Sequence, residues 1–350
     1  MQNKRATISD VARAADVSKT TVSYVLSGRA DVRVPQTTRQ RILRAAESVG
    51  YQRNALAVAL RSGRLNTVGI AAPFSLASVH EASSGVYLKD LLLALTAASF
   101  AAGMNAILMP ADVSPEFSLG DIADRRADGV IVVVMVRQTT SETVQWQDRM
   151  DAFVQSAEES GVPCVTIGGQ TGTWRVLTDS YAGGRAAMTH LLGLGHRRIA
   201  YLWYGYEAVV SAARRREAFR DAAREAQIAP GDQWEITNEN AQAIVDLLQS
   251  AHRPTAVFCF NDALAVWLLD RAREAGLRVP EDLSIVGFDD NILATTARPE
   301  LTTVRNPIDQ LALEAVDLMK RRLAHEPAPS EPILIAPWLV ERQSTAPRDR

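Results

Sequence analysis

Residues 17–26 have the sequence VSKTTVSYVL, in which apolar residues recur at the spacing of one face of an α-helix. Ser18 stands at an N-cap position, and the apolar face comprises Val22, Val25 and Leu26. The side chains left on the opposite face are those of Lys19, Thr20, Ser23 and Tyr24. This stretch therefore predicts a short amphipathic helix with hydrogen-bonding side chains at its N-terminal end.

Two further helices are predicted on either side of this stretch. Thr7 and Asp10 form a capping-box pattern that opens a first helix, whose apolar residues are Ile8, Val11, Ala12 and Ala15. A third helix is predicted over residues 36–49 and ends at Gly50, and its predicted buried residues are Ile42, Leu43, Ala46 and Val49. Two short helices joined by a tight turn and supported by a third predict a helix-turn-helix, whose second helix faces the base edges of duplex DNA.

The charge of the chain is unevenly distributed. Residues 1–64 contain twelve basic and four acidic residues, whereas the rest of the chain carries a net charge of −10 and the whole chain −2. A basic head on an acidic body favours a module that binds a polyanion, joined to a part that does not. Charge alone leaves open the alternative of a solvated basic surface, and the helix-turn-helix pattern favours the first interpretation.

Length and composition limit the class of protein. A chain of 350 residues with 47% hydrophobic and 22% charged residues predicts a globular protein of about two domains. The N-terminus shows no secretory signal, and Cys164 and Cys259 lie in apolar runs, so a cytoplasmic protein with buried free thiols is expected. Residues 91–111 carry no charge, but Gly103 and Pro110 interrupt them, so a buried helix followed by a strand is predicted rather than a membrane span.

From Asn66 onward, apolar strand-like runs alternate with amphipathic helices. The predicted strands are residues 67–72, 105–109, 129–135, 163–168, 198–202, 256–260 and 284–287. The predicted helices include residues 91–102, 143–160, 181–194, 211–227 and 263–275. Apolar strands separated by helices predict doubly wound parallel sheets in two lobes, with ligands bound at the carboxyl ends of the strands in the cleft between the lobes.

The sequence resembles the LacI/GalR family of bacterial transcriptional regulators. The resemblance rests on TISDVA at residues 7–12, VSKTTVSYVL at 17–26, Thr38-Arg39 and GYQRN at 50–54, and it continues along nearly the whole chain. It implies a helix-turn-helix domain over residues 1–50, a hinge over 51–65 and an effector-binding and dimerisation core over 66–350 with a periplasmic-binding-protein-like fold. The implied lobes are 66–178 with 305–332, and 179–304 with 333–350.

The resemblance implies three groups of DNA contacts. Bases in the major groove are contacted by Lys19, Thr20 and Tyr24. Phosphates are contacted by Ser18, Thr21, Ser23, Thr38 and Tyr51. The hinge segment contributes Asn54, Ala57 and Leu60, of which Leu60 is a wedge in the minor groove. Tyr24 and Arg53 depart from the family, which commonly has Arg and Pro there, and the loop 29–34 is longer than in the type member.

The resemblance also implies an effector pocket. Arg215, Asn261 and Asp289 match the family's pattern, and an Arg, an amide and a carboxylate in one cleft suit the vicinal hydroxyls of a sugar or sugar derivative. Candidates placed by approximate alignment are Tyr87, Ser211, Asn306 and Ile308. Alternatives remain open, since Asn261 and Asp289 could cap the elements that follow, and Arg215 could belong to a solvated Arg run. Gly168 and Val133 replace polar residues of the family and predict a less polar pocket.

Other chemistries lack a pattern in this sequence. The five histidines show no metal-ligand spacing, no catalytic motif is present, and no cofactor is expected. The expected protein is a non-enzymatic homodimeric regulator, with repression as the expected direction, which binds a pseudo-palindromic operator under control of a sugar-like effector. No tetramerisation tail is expected, and the direction of the effector's action stays open. The alternatives are a cytoplasmic sugar-binding module without a gene-regulatory role and an α/β enzyme.

Overall fold

A computed structural model of the protein describes residues 6–26, 33–51, 64–72, 85–110, 127–134, 140–205 and 210–348. The chain divides into two compact units, residues 1–65 and residues 66–350. The first unit contains the predicted helices, and the second contains the alternating strands and helices.

The described part of the N-terminal unit contains three helices, as the sequence predicts. They are α1 (Ile8–Ala14), α2 (Lys19–Leu26) and α3 (Gln36–Ser48). Their apolar faces meet in a small core that includes Val11, Ala15, Val22 and Ile42, each of which is fully buried. Leu43, which was predicted to be buried, is 49% exposed. The inward face of α3 is instead completed by Ala45, which follows Ile42 at helical spacing.

Local hydrogen bonds set the ends of these helices. The backbone N–H and the hydroxyl of Thr7 both donate to the Asp10 carboxylate, over 2.9 and 2.7 Å. Gly50 follows α3 with φ +63°, the left-handed conformation in which glycine commonly ends a helix. The predicted capping residue and the predicted helix end are therefore confirmed.

Within the described residues, the second unit contains two sheets of six strands each. The strands are β1 (Thr67–Ala72), β2 (Asn105–Pro110), β3 (Gly129–Val133), β4 (Cys164–Ile167), β5 (Arg175–Thr178), β6 (Ile199–Trp203), β7 (Gln233–Thr237), β8 (Ala256–Cys259), β9 (Ser284–Asp289), β10 (Thr302–Arg305), β11 (Ile333–Ile335) and β12 (Trp338–Val340). The helices are α4 (Gly85–Ala101), α5 (Thr140–Glu159), α6 (Ser180–Gly193), α7 (Val210–Glu225), α8 (Ala241–Gln249), α9 (Asp262–Glu274), α10 (Ile292–Thr296) and α11 (Ile308–Leu323).

The two sheets define two lobes. The first sheet has the order β11-β5-β4-β3-β1-β2, and every pair in it is parallel. The second sheet has the order β12-β10-β9-β8-β6-β7, in which only β12 is antiparallel to its neighbour. Helices α4 and α11 pack against the first sheet, and α6, α7 and α9 pack against the second. The predicted two-lobed α/β core is confirmed.

The chain passes between the lobes three times, after β5, after β10 and after β11. The last crossing corrects the expected lobe boundary, which assigned residues 333–350 to the second lobe. Ile333 pairs with Val176 and Ile335 pairs with Thr178, so β11 belongs to the first sheet and the crossing follows Ile335. The reason is apolar burial, because both isoleucines pack into the core of the first lobe.

Five strands and three helices were not among the predicted elements. The strands are β5, β7, β10, β11 and β12, which are short or carry polar residues such as those of QWEIT in β7. The helices are α8, α10 and α11. Cys164 and Cys259 are buried free thiols, as predicted. Over the described residues, no helix combines the length and apolarity that a membrane crossing requires.

Candidate functional site

The N-terminal unit exposes the polar face of α2. Val22 and Val25 are buried in the small helical core, so the opposite face of α2 is directed to solvent. The exposed residues at its start are Ser18, Lys19 and Thr20, and the half-buried polar residues that follow are Thr21, Ser23 and Tyr24. Hydroxyl and ammonium groups on one exposed helix end are the groups that hydrogen-bond to base edges and phosphates.

Only some of the other predicted DNA-contacting residues lie within the described residues. The backbone N–H of Thr21 donates to Ser18 Oγ over 3.0 Å, so Ser18 caps α2. Thr38 is half-buried in the first turn of α3, and half-buried Tyr51 packs against the helical core. The hinge residues Asn54, Ala57 and Leu60 lie outside the described residues, together with Arg53 and most of the loop 29–34.

Arg215 of α7 is a buried cation in the second lobe. Its side chain is held between two aromatic rings, with Cζ 3.4 Å from the ring centre of Phe288 and 4.6 Å from that of Phe260. Nη1 donates to the Phe260 carbonyl oxygen over 2.5 Å, and buried Nε has no partner among the described residues. The residue is 4% exposed. Arg215 therefore does not belong to a solvated run of arginines.

Asp289 ends β9 in an unusual backbone conformation. Its φ is +111°, a region that side-chain-bearing residues rarely adopt, and such strain is typical of functional sites. The carboxyl group is buried, and burial raises its pKa to about 6, while the charge of Arg215 and the hydrogen bond from Asn306 oppose the rise. Asn306 Nδ2 donates to Asp289 Oδ1 over 3.5 Å. Asp289 does not cap α10, which is capped by Asn291.

Tyr87, from the first lobe, lies close to Arg215, Asp289 and Asn306. The residue lies in the first turn of α4, and its hydroxyl is hydrogen-bonded to Asn306. Burial raises the pKa of the Tyr87 hydroxyl, the nearby Asp289 adds to the rise, and Arg215 opposes it. The structure therefore brings together Tyr87, Arg215, Asp289 and Asn306, which we call the inter-lobe cluster.

The remaining predicted pocket residues have other contacts. Asn261 Oδ1 accepts from the Leu264 backbone N–H over 2.9 Å and from the Tyr204 hydroxyl over 3.2 Å, so Asn261 caps α9. Ser211 is half-buried at the start of α7, one helical turn before Arg215. Ile308 packs against the core of the first lobe. No contact described for Asn261, Ser211 or Ile308 joins its side chain to a residue of the inter-lobe cluster.

Two departures from the family pattern have physical reasons. Gly168 has φ +77°, and a Cβ at this position would overlap the carbonyl oxygen of Val134, so an aspartate does not fit this backbone. Val133 is 1% exposed and packs into the core of the first lobe. Neither position therefore contributes a polar group to the boundary between the lobes.

Aromatic residues around the cluster were missed by the sequence analysis. Phe260 and Phe288 enclose Arg215, and the ring of Tyr204 lies edge-on to that of Phe260 at 5.6 Å. The available signal was position, because Phe260 and Phe288 directly precede the predicted residues Asn261 and Asp289. Among the described residues, no group of three His, Cys, Asp or Glu side chains has an arrangement that could hold a metal ion.

Comparisons with known protein families match both units. Residues 7–54 match the family described as bacterial regulatory proteins, lacI family, and residues 188–345 match the periplasmic binding protein-like domain. The transcriptional regulator DegA of Bacillus subtilis is 31% identical over 355 residues, which cover 98% of this chain and 99% of that protein. The transcriptional repressor PurR of Klebsiella pneumoniae is 30% identical, covering 97% of each chain.

Solved structures agree with these relatives. The lac repressor dimer bound to operator and the anti-inducer ONPF has a TM-score of 0.74 at 25% identity, with 98% of this chain and 100% of that chain covered. A complex of the regulator CelR with cellobiose has a TM-score of 0.64 at 26% identity, covering 97% and 100%. A LacI-family regulator from Enterococcus faecium with bound ribose has a TM-score of 0.65 at 27% identity, with 81% of this chain and 100% of that chain covered.

A helix-turn-helix head and a two-lobed periplasmic-binding-protein-like core define a DNA-binding transcriptional regulator. The extent of the match and the identity to DegA and PurR make the assignment specific: the chain belongs to the lacI family of bacterial regulatory proteins.

Proposed function

We propose that this regulator is a homodimeric repressor, which binds a pseudo-palindromic operator in the cytoplasm and responds to a sugar-like effector. The inter-lobe cluster carries the proposal, because it places a buried cation, a carboxylate, a phenol and an amide from both lobes beside one another. A small molecule bound there contacts both lobes and so favours one angle between them.

The polar groups of the cluster suit a molecule with several hydroxyls. Asp289 accepts hydrogen bonds, whereas buried Arg215 Nε is a donor without a partner among the described residues. A vicinal diol offers donors and acceptors to such a pair, and aromatic residues such as Phe260 supply an apolar surface beside it. A solved transcriptional regulator of similar fold contains cellobiose and a solved LacI-family regulator contains ribose, which supports this chemical class.

A homodimer is supported by an unpartnered apolar surface on the first lobe. Leu93 and Phe100 of α4 are 72% and 79% exposed, and Ile107 and Leu108 of the edge strand β2 are 40% and 47% exposed. Exposed apolar residues on adjacent elements mark an interaction surface. A second copy that presents the same residues about a two-fold axis covers this surface, and the same axis pairs two DNA-binding heads.

The DNA-binding part is tested with duplexes selected from a random pool. We expect selected duplexes to bind more tightly than scrambled duplexes, with affinity that falls steeply as salt rises. Lys19→Ala lowers affinity for the selected duplex by about tenfold or more while affecting scrambled DNA less. The matched control, Arg44→Ala on the exposed side of α3, removes the same charge and weakens both duplexes similarly.

The effector part is tested by thermal unfolding of the full chain with a panel that contains ribose and cellobiose. A molecule that binds the folded core raises the unfolding temperature in a concentration-dependent way, and it also changes the affinity for the selected duplex. Binding of a sugar without any preference among DNA duplexes supports instead a sugar-binding module without a regulatory role. Binding of DNA with no response to any hydroxylated molecule contradicts the proposed effector class.

A further inference from the structure

A hydrogen bond from Thr178, which lies outside the predicted pocket, connects two segments that join the lobes. Thr178 is the last residue of β5, before the first crossing, and Asn306 follows β10 in the second crossing. The Thr178 hydroxyl donates to Asn306 Oδ1 over 2.7 Å, although the two residues are 128 positions apart in sequence. Asn306 is 6% exposed, so few water molecules compete for this bond.

The bond has a direction that matters for the inter-lobe cluster. A side-chain amide has one acceptor atom and one donor nitrogen, and Thr178 occupies the acceptor of Asn306. The nitrogen Nδ2 is then directed at Asp289 Oδ1, 3.5 Å away. The reversed amide would place its oxygen against the Asp289 carboxylate, where two acceptors repel each other.

We propose that Thr178 is a positioning residue of the ligand site: its hydroxyl orients the Asn306 amide, so that the donor side of the amide faces Asp289 and the acceptor side ties the two crossings together. This inference rests on the proposed effector role of the inter-lobe cluster. A ligand that binds Asp289 or Asn306 then acts on both crossings at once, because Asn306 belongs to the second crossing and its amide is hydrogen-bonded to Thr178 at the first.

Several other groups influence the pKa of Asp289 and have to stay unchanged in the test. Arg215 on α7 stabilises the charged carboxylate, and Asp90 on α4 disfavours it. Tyr87 on α4 and the buried carboxyl of Asp262 on α9 also interact with Asp289. Substitution of Thr178 leaves all these groups in place, so a change in the titration of Asp289 reports the orientation of the amide.

The experiment follows the carboxyl carbon of Asp289 by NMR in the full chain, labelled with ¹³C at aspartate carboxyls and free of ligand and DNA. Asp289→Asn assigns the signal. Thr178→Val keeps the shape of threonine but has no hydroxyl, and Thr178→Ala is a second variant with the same loss. We expect the pKa of Asp289 to rise by about 0.5 in both, because the long hydrogen bond that Asn306 donates to the charged carboxylate is weakened but not abolished. Thr178→Ser keeps the hydroxyl and titrates as the wild-type chain does.

A double substitution separates positioning from a general structural effect. In an Asn306→Ala background, Thr178→Val causes no further change, because the amide through which it acts is gone. An unchanged pKa in Thr178→Val and Thr178→Ala overturns the proposal, and so does an equal rise in the Asn306→Ala background. Because no ligand is present, failure of the sugar panel contradicts the proposed function without touching this result.

Discussion

Arg215 and Asp289 are opposite charges that both lie out of solvent and face one another without a direct hydrogen bond among those described. Burial lowers the pKa of Arg215 and raises that of Asp289, and each charge partly offsets the cost of burying the other. Unpaired buried charge is costly to a fold. At the scale of single residues, the second lobe therefore holds two groups that lower its stability and are available to a ligand.

Substitution of Arg215 tests its part in the effector response. Arg215→Met keeps an unbranched side chain between the Phe260 and Phe288 rings but removes the charge and the donors. We expect loss of the response to any effector that the thermal panel identifies, with unchanged operator affinity in its absence, measured by fluorescence anisotropy. Arg214→Met alters the adjacent, 52% exposed side chain and keeps the response. A normal response in Arg215→Met removes this residue from the pocket.

Substitution of Asp289 tests the cost of its burial. The pKa of the carboxyl is about 6 in the folded chain against an ordinary value of 3.8, so the folded state binds a proton between these pH values and this group's contribution to the free energy of unfolding falls as pH rises through them. Asp289→Asn mimics the protonated form. We expect near-equal stability at pH 4 and a more stable variant at pH 7, by at most about 3 kcal/mol, measured by urea unfolding.

His196 is a second buried titratable group, and its effect on stability has the opposite pH dependence. It is buried, within 2.9 Å of Thr255 Oγ1 and 3.0 Å of Ser284 Oγ, and burial lowers its pKa to about 4. Because the unfolded chain binds this proton more readily, the contribution of His196 rises with pH between about 4 and 6.5, opposite in sign to that of Asp289. The Asp289→Asn variant therefore becomes more stable as pH rises, and a variant less stable than the wild-type chain at pH 7 contradicts the burial argument.

At the scale of single helices, the face that is buried decides which side chains are exposed. In α3, Ile42 is fully buried whereas its neighbour Leu43 is 49% exposed, because adjacent residues of a helix are about 100° apart. In α4, apolar side chains lie on all sides, so the helix contacts the first-lobe core and still exposes Leu93 and Phe100. Helix α3 packs against α2, whose exposed polar face is proposed to contact DNA, and α4 carries the surface proposed to contact a second chain.

A pair of neighbouring substitutions tests the orientation of α3. Ile42→Val removes one buried methylene from the helical core and lowers the free energy of unfolding of the N-terminal unit by about 1 kcal/mol. Leu43→Ala removes three exposed carbons and changes it by less than about 0.5 kcal/mol. Hydrogen exchange of the α3 backbone amides measures both values. A larger effect at Leu43 than at Ile42 means that α3 is rotated relative to this structure.

At the scale of the whole molecule, the proposed function pairs two copies of the chain. The apolar surface of α4 and β2 lies at one edge of the first sheet, and β11 forms the opposite edge. Leu334 on β11 and Leu313 on α11 are each 57% exposed, so both edges present apolar residues, but among the described residues the surface of α4 and β2 presents four of them. The proposed dimer is therefore formed through α4 and β2.

Charge placed on this surface tests the dimer. Leu93→Glu combined with Phe100→Glu introduces four carboxylates into the two-fold contact, and we expect the dissociation constant of the dimer to increase at least about a hundredfold, measured by sedimentation equilibrium. Leu334→Glu, on the opposite edge, is the matched control and leaves the dimer intact. Dissociation caused by the control alone would place the contact on the β11 edge.

Much of the architecture was predictable because it depends on local pattern. The capping pair Thr7 and Asp10, the apolar face of α2 and the buried strands such as β1 follow from spacing alone. Strands such as β7 were not predictable, because their polar residues are accommodated by pairing with a buried neighbour, β6. The placement of β11 in the first sheet likewise depends on pairing with β5, which ends 155 positions before β11 begins.

The sequence by itself determined the helix-turn-helix and the alternating α/β core, since these depend on periodicity and residue type. Its resemblance to the LacI/GalR family indicated the residues that form the inter-lobe cluster. Only the tertiary structure decided that Arg215 is enclosed by Phe260 and Phe288, that Asn261 caps a helix, and that Thr178 orients Asn306. The physical reason is that burial and hydrogen-bond direction depend on segments far apart in the chain, which meet only when both lobes have folded.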